Sequence, residues 1–218
     1  MIDLKKGDCL EIMKEMPDKS IDIAFTSPPY NRKRNDKYAN YNDTIDDYYK
    51  FLCDFTNELL RVTKKYTIIN LQKNYYNKQE VFKYIGNYAS KIVEIIVWGK
   101  TNPMPASSCN ITNAYEFFIV LSDKPLKSNT TYTKNLIMTA VNSDTTLKEH
   151  RAVMKQEVSD WFIEKFTSEN DIVLDCFMGT GTTGVSCGKY NRNFIGIEID
   201  DKYFEIAKER VFLAVQNG

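Results

Sequence analysis

Residues 171–200 read "DIVLDCFMGTGTTGVSCGKYNRNFIGIEID", and their order decides the fold. "DIVLD" and "NFIGIE" are short β-branched runs of the kind that fill a buried strand. Between them lie a glycine-rich turn and a helical stretch. Strand, tight turn, helix and strand make one crossover unit of a parallel sheet. Gly179, Gly181 and Gly184 match G-x-G-x-x-G, and Glu198 stands at the end of the second strand. Glycines let a ligand come close to the backbone, and an acid at that position binds ribose hydroxyls. The stretch therefore predicts a nucleotide-type cofactor.

Asp175 narrows the choice of cofactor. It ends the strand just before the glycine loop, where a dinucleotide would bring its pyrophosphate to the helix N-terminus. A carboxylate there repels a pyrophosphate. S-adenosylmethionine has no phosphate and carries an ammonium, which a carboxylate attracts, while Glu198 still has a ribose to hold. Charge favours S-adenosylmethionine over NAD.

The same alternation runs outward along the chain. "IDIAF", "YTIINL", "KIVEIIVW" and "YEFFIVL" read as further strands. Ile45, Tyr48, Leu52, Phe55 and Leu59 share one helical face, with Asp43 or Thr44 placed to cap it. Val81, Tyr84, Ile85 and Tyr88 make a second stripe. Val158, Trp161, Phe162 and Phe166 make a third, and Tyr203, Ala207, Val211 and Ala214 a fourth. All four are read as core packing. The fold class is α/β, a doubly wound and largely parallel sheet whose ligands gather at the C-terminal strand ends. Residues 123–150 break the rhythm: polar and rich in Ser, Thr and Asn, they read as a loop or small excursion.

Bulk properties fit one domain of 218 residues. Twenty-nine basic and 29 acidic residues cancel, so a polyanionic partner would need a local basic face. The five cysteines, Cys9, Cys53, Cys109, Cys176 and Cys187, are scattered and odd in number. That argues against a disulfide framework and against a zinc site. With no leader and no bilayer-spanning run, the expectation is a cytoplasmic protein without a membrane partner.

A second motif follows the strand "IDIAF". Residues 26–34 read "TSPPYNRKR": two prolines stiffen the backbone after the strand, with Ser27 before them, Tyr30 after and cations beyond. With the glycine loop, this stretch resembles the amino-methyltransferases of DNA, which modify exocyclic nitrogens of cytosine or adenine. The resemblance covers most of the chain. "SPPY" matches the catalytic motif at Ser27, Pro28, Pro29 and Tyr30, and "DCFMGTGTT" the cofactor loop at Asp175, Phe177, Gly179, Gly181 and Thr183. "GDCLEIM" is similar to the entry segment, which implies Asp8 at the cofactor's adenine amino group and the Cys9 backbone beside the ring. "FIGIEID" supplies Glu198 for the ribose and Ile199 for the adenine face, and "VWGKTNPMP" with "NAYEFFIVLSDK" resembles the middle segment.

The catalytic motif precedes the cofactor loop, as in the permuted beta class of these enzymes. The resemblance implies the Rossmann-like S-adenosylmethionine-dependent fold: a catalytic half at 1–122, a short target-recognition insertion at 123–150 and a cofactor-binding half at 151–218. Two departures stand out. Cys176 takes a position usually held by proline, and "HRAVMKQEV" keeps His150 and Ala152 while lacking the expected prolines. No role is carried over to His150, the sole histidine.

The chemistry follows from the target. An exocyclic amine is a poor nucleophile because its lone pair is delocalised into the ring. The Ser27 hydroxyl and the Pro28 carbonyl can accept its hydrogens, Tyr30 can stack on the base, and alignment supplies much of the rate. The base must leave the duplex first. Beside the pocket, Arg32, Lys33, Arg34 and Lys37 would hold phosphates of double-stranded DNA. Serine before the proline pair is commoner among cytosine-N4 enzymes, so Ser27 makes cytosine N4 the expected target; "NPMP" with "TNAYE" also resembles adenine-N6 enzymes, which makes adenine N6 the alternative. Cytosine C5 chemistry would need a Pro-Cys nucleophile, which this sequence lacks. An NAD-dependent oxidoreductase would leave "TSPPY" and the cations unexplained. By family resemblance, a homodimer and a cognate restriction enzyme are the further partners.

Overall fold

The computed structural model describes residues 1–32, 43–103, 111–130, 132–140 and 153–216. Lys33, Arg34, Lys37, Cys109 and His150 lie outside the described residues. Eight strands form one sheet in the order β1-β8-β7-β2-β3-β5-β4-β6. The strands are β1 (Ile2–Lys6), β2 (Ile21–Thr26), β3 (Thr63–Leu71), β4 (Ile92–Lys100), β5 (Tyr115–Leu121), β6 (Leu136–Thr139), β7 (Ile172–Asp175) and β8 (Asn193–Glu198). All neighbours pair in parallel except β5, which runs antiparallel to both β3 and β4.

Helices cover both faces. On one lie α1 (Cys9–Lys14), α2 (Tyr48–Val62) and α3 (Lys78–Asn87). Met13, Leu52, Phe55, Leu59, Val81 and Tyr84 pack there against Ile69, Leu71 and Ile119. On the other lie α4 (Gln156–Phe166), α5 (Thr182–Lys189) and α6 (Asp201–Gln216). There Val158, Phe162, Cys187, Ala207 and Val211 bury Ile23, Phe25, Phe118 and Phe194. The central strands β2, β5 and β7 are buried from both sides, which is why they read as continuous apolar runs. The doubly wound architecture expected from the sequence is the one observed.

Two local readings are corrected. The cap of α2 is Asp47, whose side chain accepts from the Lys50 N–H, not Asp43 or Thr44. Asp43 is instead occupied by the backbone N–H of Arg32 at 2.8 Å, and Ile45 precedes the helix. The stretch 123–150, read as a loop or excursion, contains β6, which extends the sheet beside β4. Its side chains alternate exposed and buried, as suits an edge strand.

The topology places the site. β2 lies between β7 and β3, so the residue after β2, Ser27, and the residue ending β7, Asp175, meet at one edge. Among the described residues no helix is long and apolar enough to cross a membrane.

Candidate active site

Thr26 joins the two motifs. Its hydroxyl donates to Asp175 Oδ1 at 2.7 Å, across 149 residues of sequence. The Thr183 hydroxyl donates to Asp175 Oδ2 at 2.6 Å, and the Phe177 N–H reaches Oδ1 at 3.2 Å. A carboxylate offers about four acceptor sites, so one direction on Oδ2 is left over. Burial pushes the Asp175 carboxyl up to about 6 against the pull of its three donors, which leaves it mostly ionised at neutral pH.

The glycine loop turns through Gly179 and Gly181, both with positive φ (54° and 83°), a conformation that side chains resist. Gly181 is the N-cap of α5. Gly184 serves packing: a Cβ there would lie 2.6 Å from Phe194 Cε1 and from Val211 Cγ2. Glu198 reaches across from β8. Its Oε2 accepts from the Gly179 N–H at 2.8 Å, and its Oε1 from the Ile199 and Asp200 N–H groups at 3.0 and 2.9 Å. Burial raises its carboxyl above the usual range against the opposing pull of these three bonds. Ile199 is 65% exposed, free to lie against a flat ligand. Phe177 is half-buried against the Phe51 and Phe55 rings. At the start of α1, Asp8 caps the helix by accepting from the Leu10 and Glu11 N–H groups, and Cys9 is buried.

The "SPPY" stretch is held by side chains of neighbouring elements. Tyr48 donates to the Pro29 carbonyl at 2.8 Å. Asn74 and Asn77 donate to the Tyr30 carbonyl at 2.8 and 2.7 Å. Asn31, at φ 47°, ties the segment to Ile45 by a reciprocal pair of bonds. Among the described residues nothing donates to the Pro28 carbonyl.

Ser27 and Tyr30 share a hydroxyl–hydroxyl contact of 3.0 Å, and the Tyr30 hydroxyl donates to Glu116 Oε2 at 2.9 Å. Glu116 also receives Asn70 at 3.2 Å, Gln72 at 3.5 Å and the Lys100 ammonium. Asn70, Lys100 and Glu116 share one sheet face, because each alternates with a core residue of that face: Ile68, Trp98 and Phe118. Burial first, then the Glu116 charge, hold the Tyr30 phenol well above its usual range. The Arg32 guanidinium lies 5.5 Å over the Tyr30 ring and donates to Gln72 at 2.5 Å.

The sequence reading missed this polar layer. The available signal was Glu116 inside an apolar run, since a carboxylate in a strand buried on both faces needs partners. It also missed the segment after β3. There Tyr75 is 80% exposed and Tyr76 is 53% exposed. Lys73 lies over the Tyr115 ring and Lys78 over the Tyr75 ring.

Cofactor loop and "SPPY" thus sit on neighbouring strand ends, and residues 21–209 match the sequence model of the N6/N4 family, described as DNA methylase. The chain belongs to the N6/N4 DNA methylase family. Asp8 and Cys9 fall outside the matched span. The chain is 29% identical to the type II methyltransferase M.HinfI of Haemophilus influenzae, covering 94% of this chain and 67% of that protein. It is 26% identical to the type II methyltransferase M2.MboI of Moraxella bovis, covering 94% and 85%. Among solved structures it resembles the cytosine-N4-specific PvuII DNA methyltransferase, with a TM-score of 0.79 at 18% identity over 99% of this chain and 92% of that one. The structure of M1.HpyAVI in complex with SAM gives a TM-score of 0.71 at 25% identity over 97% and 99%.

Proposed function

We propose that the protein transfers the methyl group of S-adenosylmethionine to the exocyclic N4 amine of cytosine in DNA. The observation that carries the reading is the Thr26–Asp175 hydrogen bond of 2.7 Å, because it holds the "SPPY" segment beside the glycine loop. The residues at the loop suit this cofactor. The Asp175 carboxylate ends β7 just before the glycine loop, where a dinucleotide would need to bring its pyrophosphate. The open direction on Asp175 Oδ2 fits the ammonium, and that on Glu198 Oε2 fits a ribose hydroxyl. Ile199 and the Cys9 backbone would flank the adenine, with Asp8 at its amino group.

When bound, S-adenosylmethionine supplies an electrophilic methyl on a sulfonium and leaves as the thioether. Ser27 and Pro28 do the work at the amine. Their oxygens accept its two hydrogens, draw the nitrogen towards tetrahedral geometry and point its lone pair at the methyl carbon. Tyr30, fixed by its hydroxyl and its carbonyl, forms the wall on which the flipped base stacks. Once the amine has taken the methyl, its extra proton would leave to water. Arg32, Lys73 and Lys78 hold phosphates beside the pocket, together with Lys33, Arg34 and Lys37. Residues 123–150 serve target recognition.

Cytosine rests on Ser27 alone. Adenine N6 is the second reading, favoured by "TNAYE", whose Glu116 accepts from the Tyr30 hydroxyl.

The test is label transfer. Unmodified genomic DNA incubated with the protein and methyl-labelled S-adenosylmethionine should gain label, and Ser27→Ala should lower turnover while sparing cofactor binding. S-adenosylmethionine should also raise the melting temperature, and NAD should not. Stabilisation by NAD with no label in DNA would overturn the reading.

A further inference from the structure

We infer that Glu116 is a positioning residue for methyl transfer: through the Tyr30 hydroxyl it fixes the direction of the Ser27 O–H, so that the Ser27 oxygen meets the target amine only as an acceptor. The inference rests on the amine-methylation reading above and adds a requirement to it.

A count of hydrogens leads there. Glu116 is 6% exposed, and an ionised carboxylate only accepts. Its Oε2 lies 2.9 Å from the Tyr30 hydroxyl, so the single phenolic hydrogen is committed to Glu116. Tyr30 then has no hydrogen for Ser27. The 3.0 Å contact between the two hydroxyls must be Ser27 donating to Tyr30. That uses the only hydrogen of Ser27 and turns both of its lone pairs away from Tyr30.

The direction matters because a hydroxyl is ambivalent. A serine free to rotate can aim its own hydrogen at the pocket, where it would meet the amine hydrogens. The Tyr30–Glu116 bond removes that state. Three further groups hold the carboxylate in place: the Lys100 ammonium, Asn70 and Gln72. The elevated Tyr30 phenol keeps its hydrogen at any working pH.

The test is a double-mutant cycle on Glu116→Gln and Tyr30→Phe, reading kcat, the KM for each substrate and the melting temperature. In Glu116→Gln, one face of the amide must turn an N–H towards either Lys100 or Tyr30, both donors. Facing Lys100 with the oxygen, the amide donates to Tyr30 and reverses the chain. We expect kcat to fall on the order of tenfold or more, the size of one misdirected hydrogen bond, with cofactor affinity within about twofold. Tyr30→Phe should lose a comparable factor, and adding Glu116→Gln to it should cost no more than about twofold further. A purely structural role for Glu116 would instead cost the same factor in both backgrounds, and that result overturns the inference, as does an unchanged kcat. If Glu116→Gln fails to fold, Glu116→Asp draws the carboxylate back by one methylene and must show the same dependence on Tyr30. Wild-type protein that methylates no DNA would overturn the underlying reading; wild-type methylation with independent losses would overturn only this one.

Discussion

Replacing Glu198 by alanine should weaken S-adenosylmethionine binding while leaving the chemical step nearly intact. Three of the directions around its carboxylate are taken by the N–H groups of Gly179, Ile199 and Asp200. One direction on Oε2 therefore remains for a ribose hydroxyl. A hydrogen bond to a charged acceptor is worth about 1.5–3 kcal/mol, which corresponds to a roughly 10- to 150-fold rise in Kd. The lost anchor on the glycine loop adds a second effect. Three freed backbone donors, partly reachable by water, should cost about 1–2 kcal/mol of stability, or roughly 2–8 °C in Tm at this chain length. Titration calorimetry with S-adenosylmethionine reads the first effect and a thermal melt of the free protein reads the second. Turnover at saturating cofactor should stay within about threefold, because Glu198 lies on the cofactor side of the Thr26–Asp175 link and touches none of the catalytic stretch. A Kd within twofold of wild type, in a variant that still melts cooperatively, would refute the assignment of Glu198 to the ribose.

Asp175 should give two pH dependences of opposite sign. Its folded carboxyl titrates at about 6 rather than 3.8, so folding takes up a proton between those values. That contribution to stability is present below about pH 4 and is lost as pH rises through about 6, an effect of about 3 kcal/mol. Cofactor affinity runs the other way: an ammonium needs the carboxylate, so Kd should rise as pH falls through about 6, and Asp175→Asn should flatten that profile in calorimetry. Gly184→Ala should destabilise by about 1–3 kcal/mol in a urea melt, because its Cβ would sit 2.6 Å from two core side chains; an unchanged midpoint would show that α5 can shift freely. Lys73→Ala with Lys78→Ala should weaken DNA binding and reduce the slope of log K against log salt by about 1–2. An unchanged slope would remove the segment after β3 from the DNA surface.

Much of this was legible in the sequence because the signals were local. The glycine loop carries its own geometry: Gly179 and Gly181 need positive φ, and few other residues satisfy that. Helix stripes such as Leu52, Phe55 and Leu59 turned up buried as their period required. The polar layer under "SPPY" was not legible, because it is assembled by strand register. Glu116 meets Lys100, Asn70 and Tyr30 only once β5 has run back between β3 and β4. The cap of α2 was misassigned for a similar reason, since Asp43 is drawn to the backbone N–H of Arg32, 11 residues earlier in the sequence. Strand β6 escaped because four residues with two exposed side chains resemble loop until an edge is offered to them.

The central claim is methyl transfer to the cytosine amine, and nucleoside analysis tests it most directly. Duplex DNA of mixed sequence, exposed to the protein and isotopically methyl-labelled S-adenosylmethionine, would be digested to nucleosides and resolved by mass spectrometry. Labelled N4-methylcytosine is the predicted product. Labelled N6-methyladenine in its place would contradict the base assignment carried by Ser27.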